Sequence, residues 1–156
     1  MTAMMLTLVN QRTDETLAER VEVAVTRRDR RKGLLGRSGL DPASAIIIAP
    51  CFSIHTMFMR FDIDVLFVDE DGRVLKVVHE MTRWRIAVDP TAHAVVEFAA
   101  GSLRERQINV GDRLYLLEPG GTISFIAKKP EPEEIRYQEV LKRLDAIGRD
   151  LAALKR

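Results

Sequence analysis

The dipeptide Asp71-Gly72 lies between two apolar runs, and it constrains the fold more than any other short segment of the chain. The runs are residues 63–68 and 73–78, and both are rich in valine. An Asp-Gly pair between two such runs is a strong signal for a tight β-hairpin, because the favoured two-residue turn needs positive φ angles. We therefore predict an antiparallel strand pair here and a fold built on a β-sheet.

Further short apolar runs predict more strands. In residues 21–25, valine at every second position is the pattern of a strand with one buried face. The other predicted strands are residues 6–10, 45–49, 94–98 and 113–117, with an edge strand at 123–126. We predict one or two short helices: one begins after Thr26 and ends at Gly33 or Gly36, and the other spans residues 102–106. The predicted fold class is mostly β (α+β), with a small barrel-like antiparallel or mixed sheet.

The C-terminal part of the chain has a different pattern. Residues 128–132 are rich in proline and charge, and residues 131–155 are predicted to form an appended amphipathic helix. Its apolar residues are spaced alternately three and four apart, as in a coiled-coil seam: Tyr137, Val140, Leu144, Ile147, Leu151 and Leu154. We therefore divide the chain into a β-rich domain at residues 1–127 and a hinge with a helix at residues 128–156. The seam either docks on its own domain or mediates self-association, as in a dimer.

The composition fits a protein with a hydrophobic core and excludes several function classes. Of 156 residues, 46% are hydrophobic and 30% are charged, so the chain can bury a sizeable core. A formal net charge of +1 gives no overall attraction to nucleic acid or to an anionic membrane. No apolar run approaches the roughly 20 residues that cross a bilayer, and the first residues lack the basic segment of a signal peptide. We expect a cytoplasmic protein without a membrane partner.

Positive charge is concentrated in one segment. Residues 27–37 contain six basic residues and one acidic residue, a local charge of +5. Together with Arg83-Trp84-Arg85, this segment offers a route to phosphate groups or to single-stranded nucleic acid, since Trp84 can stack on a base. Aromatic residues make up only 6% of the chain, however, and no stacking motif accompanies them. Solvated surface charge is therefore the favoured interpretation, and nucleic acid is not expected as a partner.

Residues 51–64 hold the densest group of chemically useful side chains. If the segment is extended, Cys51, Ser53 and His55 share one face, and a thiol beside an imidazole is the minimum for an activated nucleophile. The alternative is structural, with Cys51 as a small buried residue and His55 hydrogen-bonded to backbone or to Asp64. The single cysteine excludes an internal disulfide and a zinc site of paired cysteines. The three histidines show no metal-ligand spacing, so we predict no metal site and assign no cofactor.

Two acidic residues within or beside predicted strands need partners if they are buried. Asp64 follows Ile63 at the start of one apolar run, and Glu97 lies inside another. A buried carboxylate requires a compensating charge or hydrogen bonds, which Arg30 or Arg37 can supply to Asp64. Such a pair either pins the short helix to the sheet or forms part of a cleft that recognises a polar small molecule. The same two alternatives apply to Glu97.

Three motifs, in order along the chain, resemble those of a known family. Residues 30–40 (RRKGLLGRSGL) are similar to its opening motif, and residues 51–69 (CFSIHTMFMRFDIDVLFVD) look like its central signature. Residues 96–101 (VEFAAG) and 108–112 (INVGD) resemble its closing motifs. The family is domain-of-unknown-function family 192 of bacteria and archaea, and the resemblance covers about residues 20–118. It implies a compact, mostly β fold and no agreed activity; family members usually carry proline where this chain has Asp62.

The leading hypothesis is a small-ligand-binding or accessory module with a polar cleft. Its predicted ligand-binding residues are Arg30, Arg37, His55, Thr56, Asp64 and Glu97. The first alternative is a hydrolase-like or metal-assisted enzyme in the same region, with His55 as general base or metal ligand, Cys51 as nucleophile and Asp64 beside them. The second alternative is a structural protein that acts through its C-terminal helix.

Overall fold

The computed structural model describes residues 5–121 and 123–124, and this part of the chain is mostly β with one short helix. No helix within it is long and apolar enough to cross a membrane. In chain order the elements are β1 (Leu6–Asn10), β2 (Glu15–Ala24), α1 (Arg27–Lys32), β3 (Ser44–Ile48), β4 (Ser53–His55), β5 (Ile63–Val68), β6 (Val74–Met81), β7 (Ile86–Val88), β8 (Ala94–Ala99), β9 (Leu114–Leu117) and β10 (Ile123–Ser124).

Eight of these strands form one curled sheet. Its strand order is β10-β9-β1-β2-β3-β8-β5-β6, and every neighbouring pair is antiparallel except β2 and β3, which run parallel. The curl brings the start of β6 against the start of β9, where Arg73 and Arg113 form a β-bridge and the Val74 amide donates to the Asp112 carbonyl at 2.8 Å. The sheet is therefore a half-barrel that meets itself at one end.

Both faces of the sheet are buried. The inner face, which the curl encloses, packs residues from distant strands together, such as Leu8, Leu66, Phe98 and Leu114. The outer face carries a second cluster that includes Ile46, Val65 and Phe67. Because side chains alternate between faces along a strand, the central strands β3, β5 and β8 are apolar almost throughout.

The outer face is covered by the connection between β2 and β3, which we call the crossover (residues 25–43). Parallel neighbours require such a connection, because the chain must return to the same edge of the sheet before the second strand begins. Thr26 caps α1 by accepting a hydrogen bond from the Asp29 amide at 3.1 Å, and Gly33 ends it with a φ of +44°. Leu34 then packs into the outer cluster. A separate two-stranded sheet, β4 with β7, covers the adjoining area.

The predicted hairpin, five further predicted strands and the first two residues of the predicted edge strand are confirmed. The largest change of boundary is in β2, which begins at Glu15, six residues before the predicted strand, and ends at Ala24, so that Val25 is exposed. Gly72 is required at the hairpin because its φ is +78° and a Cβ there would lie 2.6 Å from the Leu114 carbonyl oxygen. The helix after Thr26 is also confirmed.

Other predictions differ from the structure. Residues 102–106 form turns rather than a second helix, since the Leu103 amide donates to the Asp64 side chain instead of starting a helical ladder. Strands β4 and β7 were not predicted, because three residues are too few to show a period. The end of the predicted edge strand (residues 125–126), the hinge, the helix at residues 131–155 and its seam lie outside the described residues.

Candidate functional site

A cavity of about 210 Å³ lies between the outer face of the sheet and its cover. We call it the Glu97 cavity. The sheet contributes Glu97 from β8 and Ile48 from β3, and the crossover contributes residues 30–35. The other wall is formed by residues 53–55 of β4 together with Cys51 and Met59. The parallel pairing of β2 and β3 is what brings the basic segment of the chain over Glu97.

Glu97 is a buried carboxyl group without a protein partner for one of its oxygens. It lies between Ile46 and Val65 in the register of the sheet and is 4% exposed. Its Oε2 atom has no hydrogen-bond partner within the described residues. Burial raises the pKa of Glu97 from 4.5 to about 7, although the charge of Arg37 acts in the opposite direction. Near neutral pH both the protonated and the ionised forms of Glu97 are therefore populated.

The crossover places positive charge along the cavity. Arg30 donates from Nη1 to the Pro50 carbonyl at 2.8 Å, while its Nε is buried and has no hydrogen-bond partner. Arg31 and Lys32 also line the cavity, and neither forms an ion pair with any described residue. The sequence pointed to this basic run but not to Arg31 and Lys32 as cavity residues, because a six-residue helix does not show which of its sides faces the sheet.

Cys51 lines the cavity as a protonated thiol. Its Sγ donates to the Ser53 carbonyl at 3.1 Å, and burial raises the thiol pKa from its usual value. No hydrogen bond joins it to His55 within the described residues, and His55 itself is exposed in β4. A nucleophile needs the thiolate, so this arrangement does not activate Cys51.

Asp64 lies outside the cavity, on the inner face of the sheet. It accepts hydrogen bonds from the Glu80 amide at 2.7 Å and the Leu103 amide at 2.9 Å. The expected pairing with Arg30 or Arg37 is wrong, because strand alternation points Asp64 away from the crossover. Arg37 instead makes two hydrogen bonds to the Glu22 carboxylate, at 3.0 and 2.7 Å.

Thr56 is buried and joins two turns rather than lining the cavity. Its Oγ1 donates to the Thr82 carbonyl at 2.7 Å and accepts from the Arg85 amide at 2.9 Å. These bonds hold together the turns that carry Phe58 and Trp84, whose rings meet edge-on with centroids 4.9 Å apart. Thr56 therefore positions an exposed aromatic pair.

Asp112 is a structural acid whose partners were not predicted. Its carboxylate accepts from Arg12 Nε at 2.6 Å, Asn10 Nδ2 at 2.9 Å and the Asn109 amide at 2.9 Å. The hydrogen bond from Arg12 is the main reason that the pKa of Asp112 falls from 3.8 to about 2. Asn10 and Arg12 are about a hundred positions away in the chain, so no local pattern links them to Asp112.

The other features that could mark a ligand site give weaker support. A wider depression of about 610 Å³ contains charged residues that pair with one another, Arg104 with Glu80 and Arg106 with Glu15. Across residues 5–121 and 123–124, no group of three or more histidine, cysteine, aspartate or glutamate side chains is arranged to hold a metal ion. The Glu97 cavity is thus the strongest candidate.

Comparisons with known proteins agree with the fold. The model of family DUF192, described as an uncharacterised ACR, matches residues 8–116. A Sinorhizobium meliloti protein described as a "putative transcription regulator" is 22% identical, with a TM-score of 0.62 over 70% of this chain and 89% of its own. A Novosphingobium aromaticivorans protein of unknown function is 21% identical, with a TM-score of 0.61 over 70% of this chain and 81% of its own. No match was found among curated proteins.

Proposed function

The chain belongs to the DUF192 family of uncharacterised proteins, and we propose that it binds a small polar molecule in the Glu97 cavity. The observation that carries this proposal is that Glu97 lines the cavity while its buried Oε2 atom has no hydrogen-bond partner among the described residues. Leaving a buried polar group without a hydrogen bond costs about 1–3 kcal/mol. A ligand that supplies the missing hydrogen bond offsets this cost, whereas an apolar ligand does not.

The cavity limits the size and chemistry of the ligand. The cavity measures about 210 Å³. Cavities for drug-sized ligands measure roughly 300–1,000 Å³, so the fitting ligand is smaller. A hydroxyl group suits Glu97 best, because it can donate to the ionised carboxylate and accept from the protonated form.

The pKa of Glu97 also supports a second candidate, an enzyme that uses this carboxyl as a general acid or base. Efficient proton transfer needs a group whose pKa lies near the working pH, and burial brings the pKa of Glu97 to about 7. Glu97 then takes the role first considered for His55, and Cys51 has no covalent role because its thiol stays protonated.

The test is a binding screen of the full chain and two variants. Small polyols, amides and amino acids are screened by thermal shift, and hits are mapped by NMR on the residues that line the cavity. Glu97→Met removes the polar atoms while keeping the side-chain length, so it is expected to fold and to weaken binding about 10- to 100-fold. Glu19→Gln changes an exposed glutamate of β2 and serves as the control.

Binding that maps to the cavity and is lost only in Glu97→Met supports the proposal. A screen in which no compound shifts the cavity residues overturns it, as does a hit that binds the Glu97→Met variant as well as wild type. For the enzyme candidate, any turnover found must decline in Glu97→Gln with a pH profile that loses its inflection near 7.

A further inference from the structure

A second depression adjoins the Glu97 cavity. It measures about 430 Å³ and shares Arg30, Arg31, Ile48, Cys51 and Ser53 with the cavity as common wall. We call it the arginine depression. A ligand seated over the shared wall reaches both spaces at once.

The arginine depression carries positive charge that the protein does not compensate. Arg27 and Arg31 are exposed, and neither makes a side-chain hydrogen bond or ion pair within the described residues. Among the residues that the structure describes, no acidic side chain lines the depression. The nearest acid in sequence, Asp29, accepts a hydrogen bond from the Thr26 hydroxyl at 2.7 Å and lines neither space. Two guanidinium groups are therefore available to an incoming anion.

Of these two arginines, Arg27 lies away from Glu97, whereas Arg31 lines both spaces. The carboxyl is buried in the sheet, whereas Arg27 lines only the arginine depression, beside the exposed ring of Phe52. An anion in the arginine depression contacts the guanidinium groups without displacing whatever fills the space at Glu97. Guanidinium groups bind phosphate and carboxylate through paired hydrogen bonds, which are among the strongest available to a side chain.

We infer that the ligand of the Glu97 cavity carries an anionic group, phosphate or carboxylate, which Arg27 and Arg31 bind while a hydroxyl of the same molecule reaches Glu97. This inference rests on the proposed function, because the hydroxyl-bearing part is the part that occupies the cavity. The ligand class is thus a small polyol phosphate or polyol carboxylate.

The experiment compares matched probes by isothermal titration calorimetry on the full chain at low salt. The neutral probes are glycerol and glucose, and their anionic partners are glycerol 3-phosphate, glycerate, glucose 6-phosphate and gluconate. Inorganic phosphate is titrated alone. An anionic probe is expected to bind about 10- to 100-fold more tightly than its neutral partner, and the difference should shrink as salt is added. The phosphate and carboxylate probes show which anion is preferred.

Three variants identify the groups responsible. The double variant Arg27→Gln/Arg31→Gln should lose the advantage of the anionic probes over their neutral partners. Arg28→Gln is the matched control, since Arg28 is an exposed arginine of the same helix that lines neither space. Glu97→Met should weaken neutral and anionic polyols alike.

The outcomes separate the two proposals. If neutral and anionic polyols bind equally, or if the double variant keeps the difference, the anion inference is overturned while binding at Glu97 stands. If inorganic phosphate binds through the arginines but no polyol depends on Glu97, the joint site is overturned, and the wider screen decides the proposed function. If no probe binds, the inferred ligand class is wrong, and the wider screen then decides the proposed function.

Discussion

Asp64 and Glu97 are buried carboxyl groups one register step apart in the sheet, but they face opposite sides of it. Asp64, on the inner face, is 0% exposed and is met by two backbone amides. Glu97, on the outer face, is 4% exposed and has an oxygen that no described residue meets. Burial is therefore common to a structural acid and to a candidate binding acid, and the hydrogen-bond partners are what distinguish them.

The largest effect is expected from removing the structural acid. Asp64→Ala leaves the buried Leu103 amide and the part-buried Glu80 amide without their acceptor. A buried donor without a partner costs about 1–3 kcal/mol and a part-buried one less, so stability should fall by about 2–4 kcal/mol. Asp64→Asn keeps one acceptor oxygen and should lose less. Urea unfolding measures both. A loss below about 0.5 kcal/mol for the alanine variant would show that the two acids do not differ in this way.

Replacing Glu97, by contrast, is expected to increase stability above neutral pH. Its pKa is raised from 4.5 in the unfolded chain to about 7, so between these values the folded state holds a proton that the unfolded state has released. Stability should therefore fall as the pH rises from 4.5 to 7 and level off above 7, by on the order of 3 kcal/mol in total. Glu97→Gln should remove this segment of the curve and be more stable than wild type at pH 8.

Urea unfolding at pH 5, 6, 7 and 8 provides the measurement. Glu19→Gln, at an exposed site, should follow the wild-type curve. A Glu97→Gln variant that is less stable than wild type at pH 8 would mean that Glu97 has a structural partner like Asp64, and the contrast between the two acids would disappear.

Asp112 is a second structural acid, like Asp64, and its effect on stability depends on pH in the opposite way to that of Glu97. Arg12 is the main cause of its pKa near 2, so the stability that Asp112 contributes is present above 3.8 and is lost as the pH falls toward 2. Asp112→Asn should cost about 1–2 kcal/mol at pH 7 and should flatten the acid limb of the stability curve. Unfolding followed by circular dichroism from pH 2 to 5 checks this expectation. An unchanged acid limb would mean that Asp112 is not a structural acid.

The smallest effect is expected at Cys51. Burial and the charge of Glu97 raise the pKa of its thiol, so iodoacetamide at pH 8 should react more slowly with folded protein than with protein in urea. Glu97→Gln removes one of these causes and should speed the reaction by less than about tenfold, whereas Asp64→Asn should leave it unchanged. Mass spectrometry gives the rates. Equal acceleration by both variants would point to general loosening rather than to a contact specific to the Glu97 cavity.

The sequence predicts the strands because their evidence is local. The valine pattern of residues 21–25 and the Asp71-Gly72 turn each depend on neighbours in the chain, and the structure has a strand and a hairpin at these places. The predicted alternation itself holds only in part, because β2 ends at Ala24 and Val25 is exposed. The short strands β4 and β7 cannot be predicted in this way. Each has only three residues, and each is a strand because it pairs with the other. The half-barrel likewise depends on a contact between the starts of β6 and β9. These two strands belong neither to one hairpin nor to one sequence motif, so no local pattern predicts the contact.

The sequence predicted residues that belong to the candidate site, but it did not predict which of them lie together in the structure. Arg30, His55 and Glu97 do line one cavity, whereas Arg37, Thr56 and Asp64 have other contacts. Asp64 shows why: its partners are backbone amides, one of them 39 residues away, and a search for charged side chains cannot find them. If the pairing of β5 with β8 were known, strand alternation would place Asp64 and Glu97 on opposite faces of the sheet.

The parallel pairing of β2 and β3 has a consequence for access to the cavity. The crossover that it requires contains a helix with no buried side chain, and its contacts with the sheet centre on Leu34 and the Arg37–Glu22 pair. Local opening of such a segment costs only a fraction of the free energy of global unfolding. We therefore expect the cover over Glu97 to open without the sheet beneath it, so that ligand exchanges while every strand stays paired.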